Sequence, residues 1–248
     1  MITQEMIAQN LASVQAEIAV ACRRAGRPVE AVKLVGISKT HPPEMLLAAL
    51  QAGLRDLGEN RVEEAAPKIA EVLSRLPANI APPTWHMVGH VQSRKAKPVI
   101  ETFDVIHSLD DLKLARRFDT FAEEQKVVRA VLLEINISGE ESKEGIAAQN
   151  WQNDPDQRQN LWSLVQEISQ LSHIRLVGLM TMAPYYAEPE ATRPVFAALR
   201  GLYDALINDF PQVEWRELSM GMTNDYSVAI EEGATMVRVG RAIFGERE

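Results

Sequence analysis

The chain has 248 residues, 46% of them hydrophobic and 24% charged, and a formal net charge of -8. That length suits one large domain with ample core, and the acidic balance argues against nucleic acid or an anionic membrane as partner, leaving room for a small local basic pocket. The one cysteine, Cys22, excludes an internal disulfide and a thiolate metal site; with no signal-peptide start in residues 1–5 and no run long enough to span a membrane, a cytoplasmic chain is expected.

Residues 3–25 place Met6, Ile7, Leu11, Val14, Ile18 and Cys22 on one helix face, stopped by Gly26-Arg27-Pro28. Cys22 reads as a half-buried filler there. Short apolar runs then alternate with amphipathic segments. Strands are expected at 33–38, 55–58, 84–88, 104–107, 130–137, 175–182, 216–219 and 236–239, and helices at 43–52, 62–76, 91–101, 110–124, 157–171, 188–208 and 226–232. Asn60, Ser108 and Thr223-Asn224-Asp225 stand where helix caps belong. Eight strand-then-helix units predict an α/β protein, a single (β/α)8 barrel over 1–248 with an extra N-terminal helix; a doubly wound open sheet is the alternative. The polar stretch 147–160 is expected to be the one long loop, either a lid or an ordinary surface loop. Asn136-Ile137-Ser138 matches a glycosylation acceptor, which carries no weight inside a strand pattern.

In a barrel the strand exits share one mouth, where chemistry collects. The run Leu34-Val35-Gly36-Ile37-Ser38-Lys39 ends on an amine. A lysine with a dry stem can be tuned to condense with an aldehyde, the alternative being a solvated lysine that merely ends a strand. The exit Ser219-Met220-Gly221-Met222-Thr223 offers hydroxyls and a glycine that lets backbone N–H groups approach an anion, and Gly240 ends the last strand; barrel phosphate sites use these two exits. Arg238 either points along the interior toward the mouth or pairs with an acid such as Glu217 or Glu134. His86 and His90 read as a strand end and turn, with base stacking or solvation as their fate, so no metal site is expected. Arg94-Lys95-Lys97 reads as a solvated helix start.

Six blocks stand in one order: Val35 to Lys39, Gly58-Glu59-Asn60-Arg61, Trp85 to Gln92, Leu176 to Met182, Leu218 to Asp225 and Val237 to Gly245. On these blocks the chain resembles the pyridoxal phosphate homeostasis proteins over essentially its whole length. The resemblance implies a barrel like the N-terminal domain of alanine racemase, holding pyridoxal 5'-phosphate (PLP) as a Schiff base on Lys39. It implies that Arg238 faces the pyridine nitrogen, that Asn60 lies by the ring, and that Ser219, Gly221, Thr223 and Gly240 surround the phosphate; Met222 is expected at the cofactor as well. It also implies a non-catalytic protein of vitamin B6 and amino-acid homeostasis; a monomer is expected, with PLP-dependent apo-enzymes as partners. A racemase-like enzyme is the alternative. Because Glu248 follows directly on the eighth unit, no second domain is expected to supply the opposing base, and a pyridine held neutral by Arg238 is a weaker electron sink. A flavin- or sugar-phosphate-binding barrel would leave Lys39 unexplained. Residues 149–159 look longer than the family pattern.

Overall fold

Parallel strands rich in Val, Ile and Leu need both faces covered, and the computed structural model, which describes residues 3–246, shows how this chain does it. After α1 (Gln4–Arg24) come β1 (Lys33–Ile37), α2 (Pro43–Gln51), β2 (Asp56–Glu59), α3 (Val62–Arg75), β3 (Thr84–Met87), α4 (Ala96–Thr102), β4 (Val105–Leu109) and α5 (Leu112–Gln125). Then follow β5 (Arg129–Asn136), β6 (Ile146–Ala147), α6 (Pro155–Ile168), β7 (Ile174–Met180), α7 (Arg193–Asp209), β8 (Glu217–Met222), α8 (Tyr226–Glu231), β9 (Met236–Val239) and α9 (Arg241–Phe244).

The strands pair in parallel in the order β1-β2-β3-β4-β5-β7-β8-β9, and β9 returns to β1 with Lys33 opposite Met236 and Gly36 opposite Val239. That last pairing closes the barrel and rules out the open sheet. The two-residue β6 only extends β5 at its outer end.

Alternation along each strand divides the core. Val35, Leu57, Ile106, Leu133, Leu179 and Val237 join the large cluster with helix residues such as Leu50, Val72, Phe118, Val165 and Phe196. Each such side chain contributes about 1.5–3 kcal/mol through burial. A second, small cluster of Leu132, Val177 and Met180, with Val105, Ala130 and Met182 against it, fills part of the barrel interior. The rest of the interior is polar, holding His86, His107, Ser219 and Arg238. α1 lies against α2, α8 and α9; Cys22, on its inner face, is fully buried rather than half-buried.

Several boundaries differ from expectation for local reasons. β4 runs through Ser108 to Leu109, so Ser108 caps nothing, and Asp111 accepts from Leu114 N–H as the cap of α5 instead. Asn60 and Asp225 are not side-chain caps either. Pro98 lacks an N–H and is tolerated in a first helical turn, so the helix expected from residue 91 starts as a short 3-10 turn at Ser93–Lys95 followed by α4. The polar stretch is shorter than expected because Asp154 caps α6, accepting from Asp156 and Gln157 N–H. What remains is pinned rather than lid-like, since buried Trp151 stacks on Trp162 at 5.7 Å between ring centroids.

Candidate functional site

Lys39 leaves β1 on a turn whose next residue, Thr40, is held at φ 68°, a left-handed conformation that costs a residue with a branched Cβ. Neighbouring groups hold that turn. Ser38 Oγ donates to Glu59 Oε1 at 2.8 Å, and Thr40 N–H donates to Glu64 Oε1 at 2.5 Å. Lys68 from α3 donates to the Ser38 carbonyl at 3.0 Å, to Glu59 at 2.9 Å and to Glu64 at 3.0 Å. Burial pushes the Glu59 carboxyl upward, against the Lys68 ammonium. His41 stacks on Phe244, tying this exit to that of β9.

Across the mouth, β8 runs on to Met222, so the barrel rim lies beyond Ser219. Gly221 has φ +92°, and a Cβ there would lie 2.6 Å from that of Ala229 and 2.9 Å from Tyr226 Cα, so only glycine lets the strand turn against α8. Met222 N–H donates to Asp225 Oδ1 at 2.6 Å while Asp225 N–H donates to the Met222 carbonyl, which locks the loop that presents Thr223. Asn60 is placed by a second close approach: a Cβ on Gly89 would lie 2.3 Å from its carbonyl oxygen, and Ser108 Oγ holds the Gly89 carbonyl at 2.6 Å.

Arg238 is 5% exposed and points to the mouth. It does not pair with Glu217, which binds Lys33 and Thr235 lower in the barrel. Its Nη1 donates to Ser219 Oγ at 2.6 Å and its Nη2 to the Thr181 carbonyl at 2.7 Å. Burial brings its pKa down to about 10, opposed by the charges of Glu134 and Asp225, so it remains a cation at neutral pH.

These exits surround one cavity of about 280 Å³, near the lower end of the range for small-molecule sites. Of the residues singled out in the sequence, Lys39, Asn60, Met222, Thr223, Arg238 and Gly240 line it. Ser219 and Gly221 do not; Ser219 is fully buried behind Arg238, and Gly221 shapes the turn. Lys143, Tyr185 and Tyr186, on loops, and Thr192, in a 3-10 turn before α7, also line the cavity, and a strand-exit position alone would not single them out. No residue from 147–160 lines it.

His86 corrects the sequence reading. It is 1% exposed inside β3 and bonded on both ring nitrogens, so neither stacking on a base nor solvation is open to it. His90 lies on the outer rim against Asp110 at 3.3 Å, partly exposed, as a solvated loop residue would be.

The closed barrel and its single mouth define a fold of the alanine racemase N-terminal type: the family model described as alanine racemase, N-terminal domain, matches residues 9–248. Alanine racemase of Clostridium difficile shares this fold at 14% identity, with a TM-score of 0.63 over 94% of this chain and 59% of that one. A pyridoxal phosphate homeostasis protein of Aquifex aeolicus is 40% identical over 240 residues, 97% of this chain and 98% of its own. Its namesake in Escherichia coli K12 is 37% identical over 246 residues, 98% of this chain and 97% of its own. PipY of Synechococcus elongatus, solved with PLP bound, is 36% identical with a TM-score of 0.78, over 96% of this chain and 100% of that one. The chain belongs to the family of pyridoxal phosphate homeostasis proteins.

Proposed function

We propose that this chain binds PLP at the barrel mouth and serves vitamin B6 and amino-acid homeostasis as a carrier rather than as an enzyme that transforms amino acids. The observation that carries this reading is a single cavity lined at once by Lys39, Asn60, Arg238 and the exits of β8 and β9. The residues fit the group. Asn60 Oδ1 is buried without a partner, ready to accept from a ligand. Thr223 adds a hydroxyl beside Met222 and Gly240 for a phosphate.

PLP, when bound, supplies an aldehyde that condenses with a primary amine and a ring that accepts electrons. Lys39 supplies the amine. Arg238 can only donate, so it holds a facing ring nitrogen unprotonated and favours retention over carbanion chemistry. Relatives matched over nearly their full length are named for homeostasis, in keeping with this reading. The proposal extends to a monomer in the cytoplasm that passes PLP to apo-enzymes; no helix among the described residues is long and apolar enough to cross a membrane.

The test is α-proton exchange in deuterated water with D- and L-amino acids, read as deuterium incorporation and chirality against a Lys39→Ala control. A carrier gives no exchange beyond that of free PLP. Exchange or racemisation above roughly 1 per second, within the range of ordinary enzymes, contradicts it and favours a racemase-like activity.

A further inference from the structure

Five side chains from five strands form one unbroken hydrogen-bond chain through the barrel. Asp56 Oδ1 lies 2.9 Å from His86 Nε2, and His86 Nδ1 lies 2.9 Å from His107 Nε2. His107 Nδ1 lies 2.9 Å from Ser219 Oγ, and Arg238 Nη1 donates to that same oxygen at 2.6 Å. His107 and Ser219 are fully buried; Asp56, at the end of the barrel away from the mouth, is the most exposed member.

The two ends fix the direction of the whole chain. Arg238 can only donate, so Ser219 Oγ accepts from it, and His107 Nδ1 is the acceptor within reach for the hydroxyl's own proton. His107 then carries its proton on Nε2 and donates to His86 Nδ1, and His86 donates from Nε2 to Asp56. Every ring nitrogen and the Ser219 hydroxyl then has a partner with one proton on each ring. The opposite direction leaves the Ser219 proton without an acceptor in a dry interior and turns a ring lone pair toward the Asp56 carboxylate, each of which costs the desolvation of an unpaired group. Burial, then the neighbouring His86, Arg238 and Lys33, lowers the His107 pKa well below its ordinary value, in keeping with a neutral ring.

We propose that Ser219, His107, His86 and Asp56 are positioning residues that hold Arg238 in one orientation, leaving its other N–H groups for the cavity, and thereby set the electronic state of a pyridine ring bound there. The proposal rests on the reading of Arg238 as the partner of that ring.

The test uses the full chain, first without ligand and then loaded with PLP labelled with 15N in the ring. Long-range 1H–15N correlation spectra read the tautomers of both histidines, and the ring 15N and the phosphorus resonance read the two ends of the cofactor. Both histidines should carry their proton on Nε2 in either state. Ser219→Ala, and independently His107→Gln, should move the ring 15N resonance while the 31P resonance stays in place. A proton on His107 Nδ1 in the unchanged chain overturns the direction of the chain. An unmoved ring resonance in both folded variants, or a 31P resonance that moves in its stead, overturns the positioning role and returns Ser219 to the phosphate. Failure of the unchanged chain to take up PLP overturns the cofactor reading together with the role resting on it, and it is told apart from the other outcomes because the tautomers are read without ligand.

Discussion

Lys68 Nζ meets Glu59 Oε1 at 2.9 Å directly beneath the turn that carries Lys39, with 8% of the lysine side chain and none of the glutamate exposed. The same ammonium holds the Ser38 carbonyl, so this buried pair fixes the backbone on which Lys39 is mounted. Removing one partner of a buried pair leaves an uncompensated charge and costs roughly 3–5 kcal/mol. Lys68→Met should therefore lower the unfolding free energy in a urea titration by about that much, and Glu59→Gln combined with it should recover part of the loss. A Lys68→Met variant within about 1 kcal/mol of the unchanged chain, the scale of an exposed pair, contradicts the assignment.

Glu134 should make stability depend on pH. It is 3% exposed and its Oε2 has no partner. Burial, then the Asp110 charge, with Arg238 and His90 opposing and Glu144 adding, raises its pKa from 4.5 to about 7. Below pH 4.5 both folded and unfolded chains hold the proton. Between 4.5 and about 7 only the folded chain holds it, so this group's stabilisation is lost as pH rises through that window. The gap corresponds to roughly 3 kcal/mol at 1.36 kcal/mol per pH unit. Glu134→Gln should be the more stable form at pH 8 by an amount of that order, and the advantage should disappear near pH 4; equal stability at both pH values contradicts this account.

The proposed phosphate cradle gives a graded series. There Thr223→Ala should remove one hydroxyl bond to a charged oxygen, worth roughly 1.5–3 kcal/mol, so PLP should dissociate about tenfold more readily or worse. Gly221→Ala should do more damage, because its Cβ would meet the Tyr226 backbone at 2.9 Å and its φ of +92° is strained for alanine. Equilibrium dialysis of both variants checks the order. A Gly221→Ala variant that retains PLP as the unchanged chain does would show that the loop does not form the cradle.

The barrel was legible because its parallel strands and amphipathic helices have different periods; Lys39, Thr223 and Gly240 were legible as strand exits and Arg238 as a residue inside the last strand, whereas Asn60 came to the site through the family resemblance alone. The interior was not. Strands buried on both faces lose the polar-apolar alternation that tells inside from outside. The apolar run ends at Ser219, which puts that residue at an expected rim, whereas β8 continues to Met222 and carries the rim three residues further. His86 finds its partners His107 and Asp56 at separations of 21 and 30 residues, and no local pattern joins them. Lys68 is one charge among several on an amphipathic helix, and only the fold brings it onto Ser38 and Glu59, 30 and 9 residues away.

The most direct test of the central claim is chemical. Load the purified chain with PLP, reduce it with borohydride, digest it and map the pyridoxyl group by mass spectrometry. The proposed site predicts a single labelled position, Lys39, and loss of the label in Lys39→Ala although Thr223 and Gly240, the proposed phosphate partners, are unchanged. Label at Lys33, Lys68 or Lys143, or persistent labelling of the Lys39→Ala chain, would contradict the account.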